Sequence, residues 1–226
     1  FCITAEDSLK LYSFPTLLLI STLYRLGLNL SSTRLILSTG TGGKIIETFG
    51  QTLTSGNLTV GLISFLVLQI IQFLVISKGA ERVSEVSARF TLDALPGKQM
   101  SIDADLRARL INNKKTQKKR KELIQESKFY GAMDGAMKFV KGETIASFII
   151  VAINLFGGFA IGVMQKGYSF EKAIHVYSLL TIGDGLAAQI PALLLSLSSG
   201  ILVTRVASGK DNASLGSEIE EQFFSD

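Results

Sequence analysis

A single carboxylate lies in a long apolar stretch of the sequence. Asp184 is the one charged residue in SLLTIGDGLAAQIPALLLSLSSGILVT, residues 178–204. Ionisable side chains inside membrane spans face a bundle interior or an aqueous path, and they mark proton or ion routes. A second interpretation carries equal weight, in which Asp184 caps a helix that starts at Gly185 at the membrane surface. The long segment is then tilted, broken near the two flanking glycines, or extends past the membrane.

A second charge, Arg25, interrupts the apolar segment FPTLLLISTLYRLGLNL, residues 14–30. An arginine inside a span needs a partner or must reach an interface. Asp184 is the candidate counter-charge, and a structural pair is as well supported as a functional one. Three amides in the other apolar segments are expected to form hydrogen bonds between helices: Gln69, Gln72 and Asn154.

Two enzyme motifs are approached but not matched. IGDG followed by PAL is similar to the Gly-x-Gly-Asp motif of intramembrane aspartyl proteases, but Thr181 replaces the first glycine. Such enzymes need a second carboxylate close by, and residues 145–164 contain none. STGTGGKII has Ser38 and Ile45 where a Walker A loop needs a glycine and a hydroxyl, so we expect a flexible connector. The sequence predicts no enzyme.

No cofactor or metal site is expected. The chain has one cysteine, Cys2, and one histidine, His175, too few for a cysteine or histidine zinc site. Asp103 and Asp105 are too few and too close for a metal cage, and a helix cap is the preferred interpretation.

The elements that carry these residues are predicted from the apolar runs. Hydrophobic residues make up 47% of the 226 residues, and charge is absent over residues 48–77, 144–165 and 185–204. A bilayer-spanning helix needs about 20 predominantly apolar residues. The predicted fold is an all-α, polytopic membrane helix bundle. Its four predicted spans are A (14–30), B (58–76), C (145–164) and D (179–204).

The distribution of basic residues predicts the membrane topology. Residues 78–143 hold 15 of the 23 Lys and Arg, and such enrichment marks the cytoplasmic side. The predicted domains are residues 1–77 with spans A and B, a cytoplasmic connector 78–143, residues 144–206 with spans C and D, and the start of a cytoplasmic linker at 207–226. No N-terminal signal of the usual form is present, so we expect the insertion signals in the spans or upstream.

The long connector has internal order. Leu95-Pro96-Gly97-Lys98 fits a type II turn. Phe129, Met133, Met137 and Val140 recur at helical spacing, which predicts an amphipathic helix at the membrane interface. The basic run NNKKTQKKRK, residues 112–121, is attributed to a solvated face near anionic headgroups in preference to nucleic-acid binding.

Several motifs closely resemble the bacterial FHIPEP family of export-gate proteins in flagellar and virulence type III secretion systems. They are LYRLGLNLSSTR (23–34), ERVSEVSARFTLDALPGKQMSIDADL (81–106), FYGAMDGAMKFVKGE (129–143) and LLTIGDGLAAQIPALLLS (179–196). Together they cover nearly the whole sequence. IIQFLVISKGAERV and MDGAMKFVKG look more like the virulence branch.

The resemblance implies a function in protein export. Family members are expected to form a nonameric ring in the bacterial inner membrane with other export-gate subunits. A cytoplasmic domain absent from this sequence would receive secreted proteins and their chaperones, and proton motive force would drive export. No nucleic acid is expected as a partner, whereas membrane lipids are. The residues that the resemblance links to coupling are Asp184, Glu143, Asp134, Lys138, Asp93, Arg25, Arg34, Arg82 and Arg89, with a signature turn at Pro96, Gly97 and Lys98.

Three positions depart from the family pattern. Glu143 stands where aspartate is usual, and Arg109 and Ser147 stand where glycine is common. The alternatives to a virulence-branch export gate are a flagellar paralogue with the same mechanism, a structural assembly scaffold, and an ion-coupled secondary transporter. Paired interruptions in repeated spans would favour the transporter, and only span D shows an interruption.

Overall fold

The structure, a computed structural model, describes residues 11–204 together with Gly216 and Phe224, and this part of the chain is helical apart from short connections. This confirms the all-α fold class. The α-helices are α1 (Phe14–Thr39), α2 (Gly43–Thr54), α3 (Leu58–Ile71), α4 (Lys78–Arg107), α5 (Asn113–Ala152), α6 (Gly158–Met164) and α7 (Phe170–Thr204). Two π-helical segments, Gln72–Ser77 and Ile153–Gly157, join α3 to α4 and α5 to α6.

Three continuous helices are long and apolar enough to cross a membrane. They are Leu58–Arg107, Asn113–Met164 and Phe170–Thr204, and they contain the predicted spans B, C and D. Each runs far beyond its predicted bounds, because polar residues at the span ends continue the same helix. Helix α1 carries Arg25 and Arg34 and does not reach this level of hydropathy, so span A stays a prediction.

Helix α7 shows that two predictions about Asp184 were wrong: the break at its flanking glycines and the helix cap. The helix runs without a break from Phe170 to Thr204, so it is not broken at the glycines. Its first turn is capped by Ser169, whose Oγ accepts from the Lys172 amide at 3.3 Å. Asp184 therefore lies about four turns into the helix and caps nothing.

Helix α2 replaces the connector predicted at residues 38–46. The helix begins at Gly43 and ends in the left-handed residue Ser55 (φ 42°). Ile46, Phe49 and Leu53 recur at helical spacing and are partly buried, while Gly50 and Thr54 are fully buried. Packing of this face stabilises the helix. The glycines at the start of the segment hid its helical pattern in the sequence.

The chain divides into two compact units: residues 19–79 with 139–196, which we call the bundle unit, and residues 80–138 with 1–18 and 197–226, which we call the hairpin unit. In the bundle unit, Ile36, Tyr177 and Leu180 form a buried apolar cluster with Ile46 and Val176 against it.

Helices α4 and α5 run antiparallel within the hairpin unit. Three ion pairs show this, because the residue number rises on one helix as it falls on the other: Lys98–Glu126 (2.8 Å), Asp103–Arg120 (2.6 Å) and Asp105–Lys119 (3.3 Å). Asp103 and Asp105 are thus pairing residues inside α4, and the cap interpretation was wrong. These exposed pairs show which residues of the two helices lie opposite each other. Each contributes little stability, roughly 0.2–1 kcal/mol.

The predicted turn at Pro96-Gly97-Lys98 is wrong. All three residues lie inside α4, with Pro96 in the helix interior. Proline removes one helical donor, which leaves the Leu92 carbonyl without its usual partner. Because Leu92 and Pro96 are exposed, solvent can satisfy that carbonyl, and the helix continues.

The predicted amphipathic segment is also corrected. Phe129, Met133, Met137 and Val140 do share one face of α5, but all four are buried in the protein. A face covered by protein is not available to a lipid surface, so the segment is part of the packed fold rather than an interfacial helix.

The turn between α4 and α5 gives a physical reason for the glycine that the family resemblance implies at position 109. Arg109 has φ 59°, the left-handed region that costs an L-residue about 1–2 kcal/mol. The next helix is capped by Asn112, whose Oδ1 accepts from the Lys115 amide at 2.8 Å. The turn thus favours glycine at a position that arginine occupies in this chain.

We expect Arg109→Gly to raise the free energy of unfolding by about 0.5 kcal/mol, because relief of the left-handed strain exceeds the entropic cost of glycine. Chemical unfolding in mixed micelles measures it. Arg107→Gly is the matched control, since it removes the same charge from the end of α4 and should destabilise by about 0.5–1 kcal/mol. If both variants changed the free energy of unfolding in the same direction, the proposed strain at Arg109 would be refuted.

Candidate functional site

A buried ion pair joins α1 to α5. Nη1 of Arg25 donates to Oε2 of Glu143 at 3.2 Å, and Nη2 lies 2.9 Å from Oε1. Arg25 is 9% exposed and Glu143 4%, so each charge depends on the other. The expected Arg25–Asp184 pair was wrong, because Glu143, which immediately precedes the uncharged run 144–165, presents its carboxylate to Arg25.

The same guanidinium reaches α7. Nη2 of Arg25 donates to the Ala188 carbonyl oxygen at 3.1 Å. Pro191 lacks an N–H, so the adjacent Ala187 carbonyl has no donor four residues on. Arg25 therefore binds α7 where the backbone hydrogen bonding of that helix is interrupted by the proline.

Asp184 is held by neutral groups. Nδ2 of Asn154 donates to its Oδ2 at 3.3 Å, and the Ser32 hydroxyl interacts with the same carboxylate. That hydroxyl also lies 3.0 Å from the Asn29 carbonyl, and its single proton can serve only one acceptor at a time. No ion pair of Asp184 is found among residues 11–204.

Asn154 reaches Asp184 from the second π-helical segment. One extra residue per turn rotates the following side chains relative to an α-helix, and π-segments recur at functional sites. Gln72 opens the first π-helical segment in the same way. The two irregular turns therefore carry two of the polar side chains of the site.

An amide pair extends the polar cluster along α7. Nε2 of Gln189 donates to Oε1 of Gln69 on α3, which confirms that Gln69 and Asn154 link helices. The Oε1 of Gln72 and the Oδ1 of Asn154 are buried and accept no hydrogen bond from the described residues.

A small cavity lies inside this polar cluster. It measures about 20 Å³ and is lined by both buried carboxylates, Glu143 and Asp184, together with Arg25 and Gln72. This is room for about one water molecule, and the polar lining is the condition that such a water requires. The cavity therefore has room for a water molecule next to the two buried carboxylates.

The two glycines beside Asp184 let other helices approach closely. A Cβ on Gly183 would overlap the Ile46 carbonyl oxygen of α2, and one on Gly185 would overlap the Phe65 ring of α3. Gly50 of α2 is in turn packed against the Leu179 carbonyl. The IGDG sequence thus places Asp184 between two closely packed helices.

We expect Gly183→Ala to lower the free energy of unfolding by about 3 kcal/mol, because overpacking against backbone cannot be relieved by a side-chain rotation. Unfolding in mixed micelles is the measurement. Gly27→Ala is the control, since nothing lies within 4 Å of its Cβ position, and helix propensity predicts a gain of up to about 1 kcal/mol. An unchanged stability of Gly183→Ala would refute the close approach.

A double-mutant cycle tests the buried ion pair. Removing one partner of such a pair leaves an uncompensated charge and costs about 3–5 kcal/mol, so Arg25→Met and Glu143→Met should each destabilise the chain by that order. The double variant should be more stable than the sum of the two losses predicts, as measured by unfolding in mixed micelles.

The exposed pair Lys118–Glu122, at 3.8 Å, is the control for that cycle. Its coupling should stay within about 0.5 kcal/mol. A similarly small coupling between Arg25 and Glu143 would show that the buried pair does not depend on mutual compensation.

The structure brings together only three of the nine predicted coupling residues: Arg25, Glu143 and Asp184. Asp134 and Lys138 form the expected i,i+4 pair at 2.8 Å on α5. Arg82 pairs with Glu85 at 2.8 Å on α4, where Arg89 and Asp93 are exposed. Arg34 is exposed on α1, outside the polar cluster, and Lys98 belongs to the hairpin register.

Sequence reasoning missed three contributors to the site: Gln189, Ser32 and the Ala188 carbonyl. Gln189 is a polar residue inside an apolar run, on the same helix as Asp184, so it offered the same signal as Gln69. Ser32 and a backbone carbonyl carry no such signal, because their role depends on which helices meet.

The similarity to known proteins extends over the entire chain. Residues 1–226 match the FHIPEP family. Relatives include the flagellar biosynthesis protein FlhA of Bacillus subtilis (56% identity over 219 residues, 97% of this chain and 32% of that protein). The harpin secretion protein HrpI of Erwinia amylovora is 57% identical over 215 residues, 94% of this chain and 30% of that protein.

A further relative is the secretion system apparatus protein SsaV of Salmonella typhimurium strain LT2, 54% identical over 217 residues, 96% of this chain and 32% of that protein. The chain thus spans about a third of the length of the curated relatives it matches. No solved structure matches. Matched along its whole length and more than half identical to relatives from flagellar and injectisome systems, the chain belongs to the FHIPEP family.

Proposed function

We propose that this chain is part of the membrane domain of an export gate in a bacterial type III protein secretion apparatus. Its role is non-enzymatic: it couples proton motive force to protein export across the inner membrane. Membership of the FHIPEP family and relatives named for secretion and flagellar biosynthesis support the export role. Three helices able to cross a membrane support the location.

The observation that carries the coupling is the unequal pairing of two buried carboxylates. Glu143 and Asp184 line the same cavity, yet Glu143 is paired with Arg25 and Asp184 contacts an amide and a hydroxyl. A buried carboxylate without a cation is costly as an anion. Asp184 is therefore the group that binds and releases the proton, and Glu143 remains the anionic partner of Arg25.

Arg25 supplies the means of reading that proton. It lines the cavity with both carboxylates and already contacts α7 through Ala188. With Asp184 protonated, Arg25 stays on Glu143. With Asp184 ionised, a second anion competes for the guanidinium, and the contact between α1 and α5 weakens.

Helix α5 carries the response away from the cavity. Glu143 and the Asp134–Lys138 pair lie on this one continuous helix, five residues apart. Because Asp134 and Lys138 share this helix, the pair moves with α5, and it switches only by exchanging its contacts for those of groups that α5 then meets. Asp134 and Lys138 are thus a switchable pair rather than a proton-binding site.

The assembly proposed for the whole protein follows the family. It is a nonameric ring in the inner membrane, in contact with other export-gate subunits and, through sequence outside this chain, with secreted proteins and chaperones. We favour the virulence branch on the motifs at 70–83 and 133–142. Flagellar and injectisome relatives match at similar identity, so the same mechanism applies in a flagellar paralogue.

The test replaces Asp184 by Asn in the full-length protein and measures secretion and proton leak in the same cells. We expect assembled rings with at least about a hundredfold loss of secretion, the size of effect when a proton-transfer group is removed. Glu143→Gln should also abolish secretion, whereas Glu143→Asp, which keeps the charge, should retain it.

Glu171→Gln is the matched control, because it neutralises an exposed carboxylate on the same helix, and full secretion is expected. Full secretion by both Asp184→Asn and Glu143→Gln would refute the coupling. Loss of ring assembly in both variants would instead support the structural scaffold, in which the charges only fix packing.

A further inference from the structure

A groove between α1 and α6 has the composition of a lipid site. It measures about 700 Å³, and its lining includes the apolar residues Leu30, Leu37 and Ile161. Arg34, Ser38 and Gln165 supply polar groups to the same groove. One cation beside an apolar channel is the arrangement that fits an anionic headgroup followed by an acyl chain.

The groove lies at one end of a membrane-spanning helix. The candidate span Asn113–Met164 ends immediately before Gln165, so Ile161 and Gln165 lie at the end of that helix. Arg34 lies five residues before the end of α1, roughly 8 Å along the axis. A long arginine side chain bridges such a distance by reaching toward the interface.

The Arg34 guanidinium is accessible to an anionic partner from outside the described chain. Its side chain is exposed, and no ion pair of Arg34 is found within residues 11–204. Basic residues also outnumber acidic ones on this side of the bundle: Arg34, Lys44, Lys166 and Lys172 against Glu47 and Glu171. A phosphate matches the planar guanidinium with two parallel hydrogen bonds.

We propose that this groove is a binding site for an anionic phospholipid. The Arg34 guanidinium binds the headgroup phosphate, Ser38 and Gln165 hydrogen-bond the polar linker, and an acyl chain lies along Leu30, Leu37 and Ile161. The site is separate from the polar cluster around Asp184, and it assigns Arg34 to lipid binding rather than to proton coupling.

The test uses full-length protein purified in detergent and titrated with phosphatidylglycerol or phosphatidylcholine, with bound lipid counted by native mass spectrometry. The wild type should retain phosphatidylglycerol in preference to phosphatidylcholine. Arg34→Gln should weaken phosphatidylglycerol binding roughly tenfold, the effect of losing one charge-assisted pair. Arg34→Lys should fall between the two.

Lys44→Gln is the matched control, since it removes an exposed cation on the same side of the bundle but outside the groove, and the lipid preference should persist. Equal binding by Arg34→Gln and wild type would overturn the proposal. The proposal would also be overturned if inorganic phosphate alone displaced the bound phosphatidylglycerol, because that result would identify a free anion as the ligand. A changed ring size with no bound lipid would place a second copy in the groove.

Discussion

The bundle unit depends on one constraint, which is that polar side chains buried among apolar helices must satisfy one another. Arg25 and Glu143 each neutralise a charge that would be prohibitive alone. Asp184 and Gln189 are satisfied differently, through neutral hydrogen bonds with Asn154 and Gln69. The contacts join α1, α3, α5 and α7, so the charge arrangement and the helix arrangement are a single property of the unit.

Close backbone packing sets where that polar cluster lies. Gly183 and Gly185 admit α2 and the Phe65 ring on either side of Asp184, and Gly158 and Gly162 admit the Tyr177 ring. Larger residues would separate the helices and let water reach the carboxylate. Because a cavity of one-water size needs walls fixed to within a fraction of an ångström, small residues matter here as much as charged ones.

The apolar runs located the helices that can cross a membrane, and the polar residues inside those runs identified Arg25, Asp184 and three amides of the site, whereas Glu143 came from the family resemblance. The sequence could not show that Arg25 pairs with Glu143 rather than Asp184, since that choice depends on how α5 is rotated against α1. It also misplaced Pro96, because proline is typical of turns and yet is tolerated where a helix is exposed. Arg109 is the opposite case: a departure from the usual glycine coincided with a left-handed turn residue.

In the proposed mechanism the proton binds Asp184 while Glu143 stays paired with Arg25. Infrared difference spectroscopy of the full-length protein in vesicles, recorded on acidifying the medium, reports protonation of a buried carboxyl group directly. We expect a protonated-carboxyl band that is lost in Asp184→Asn and still present in Glu143→Gln. A band that disappears in Glu143→Gln and survives in Asp184→Asn would contradict it.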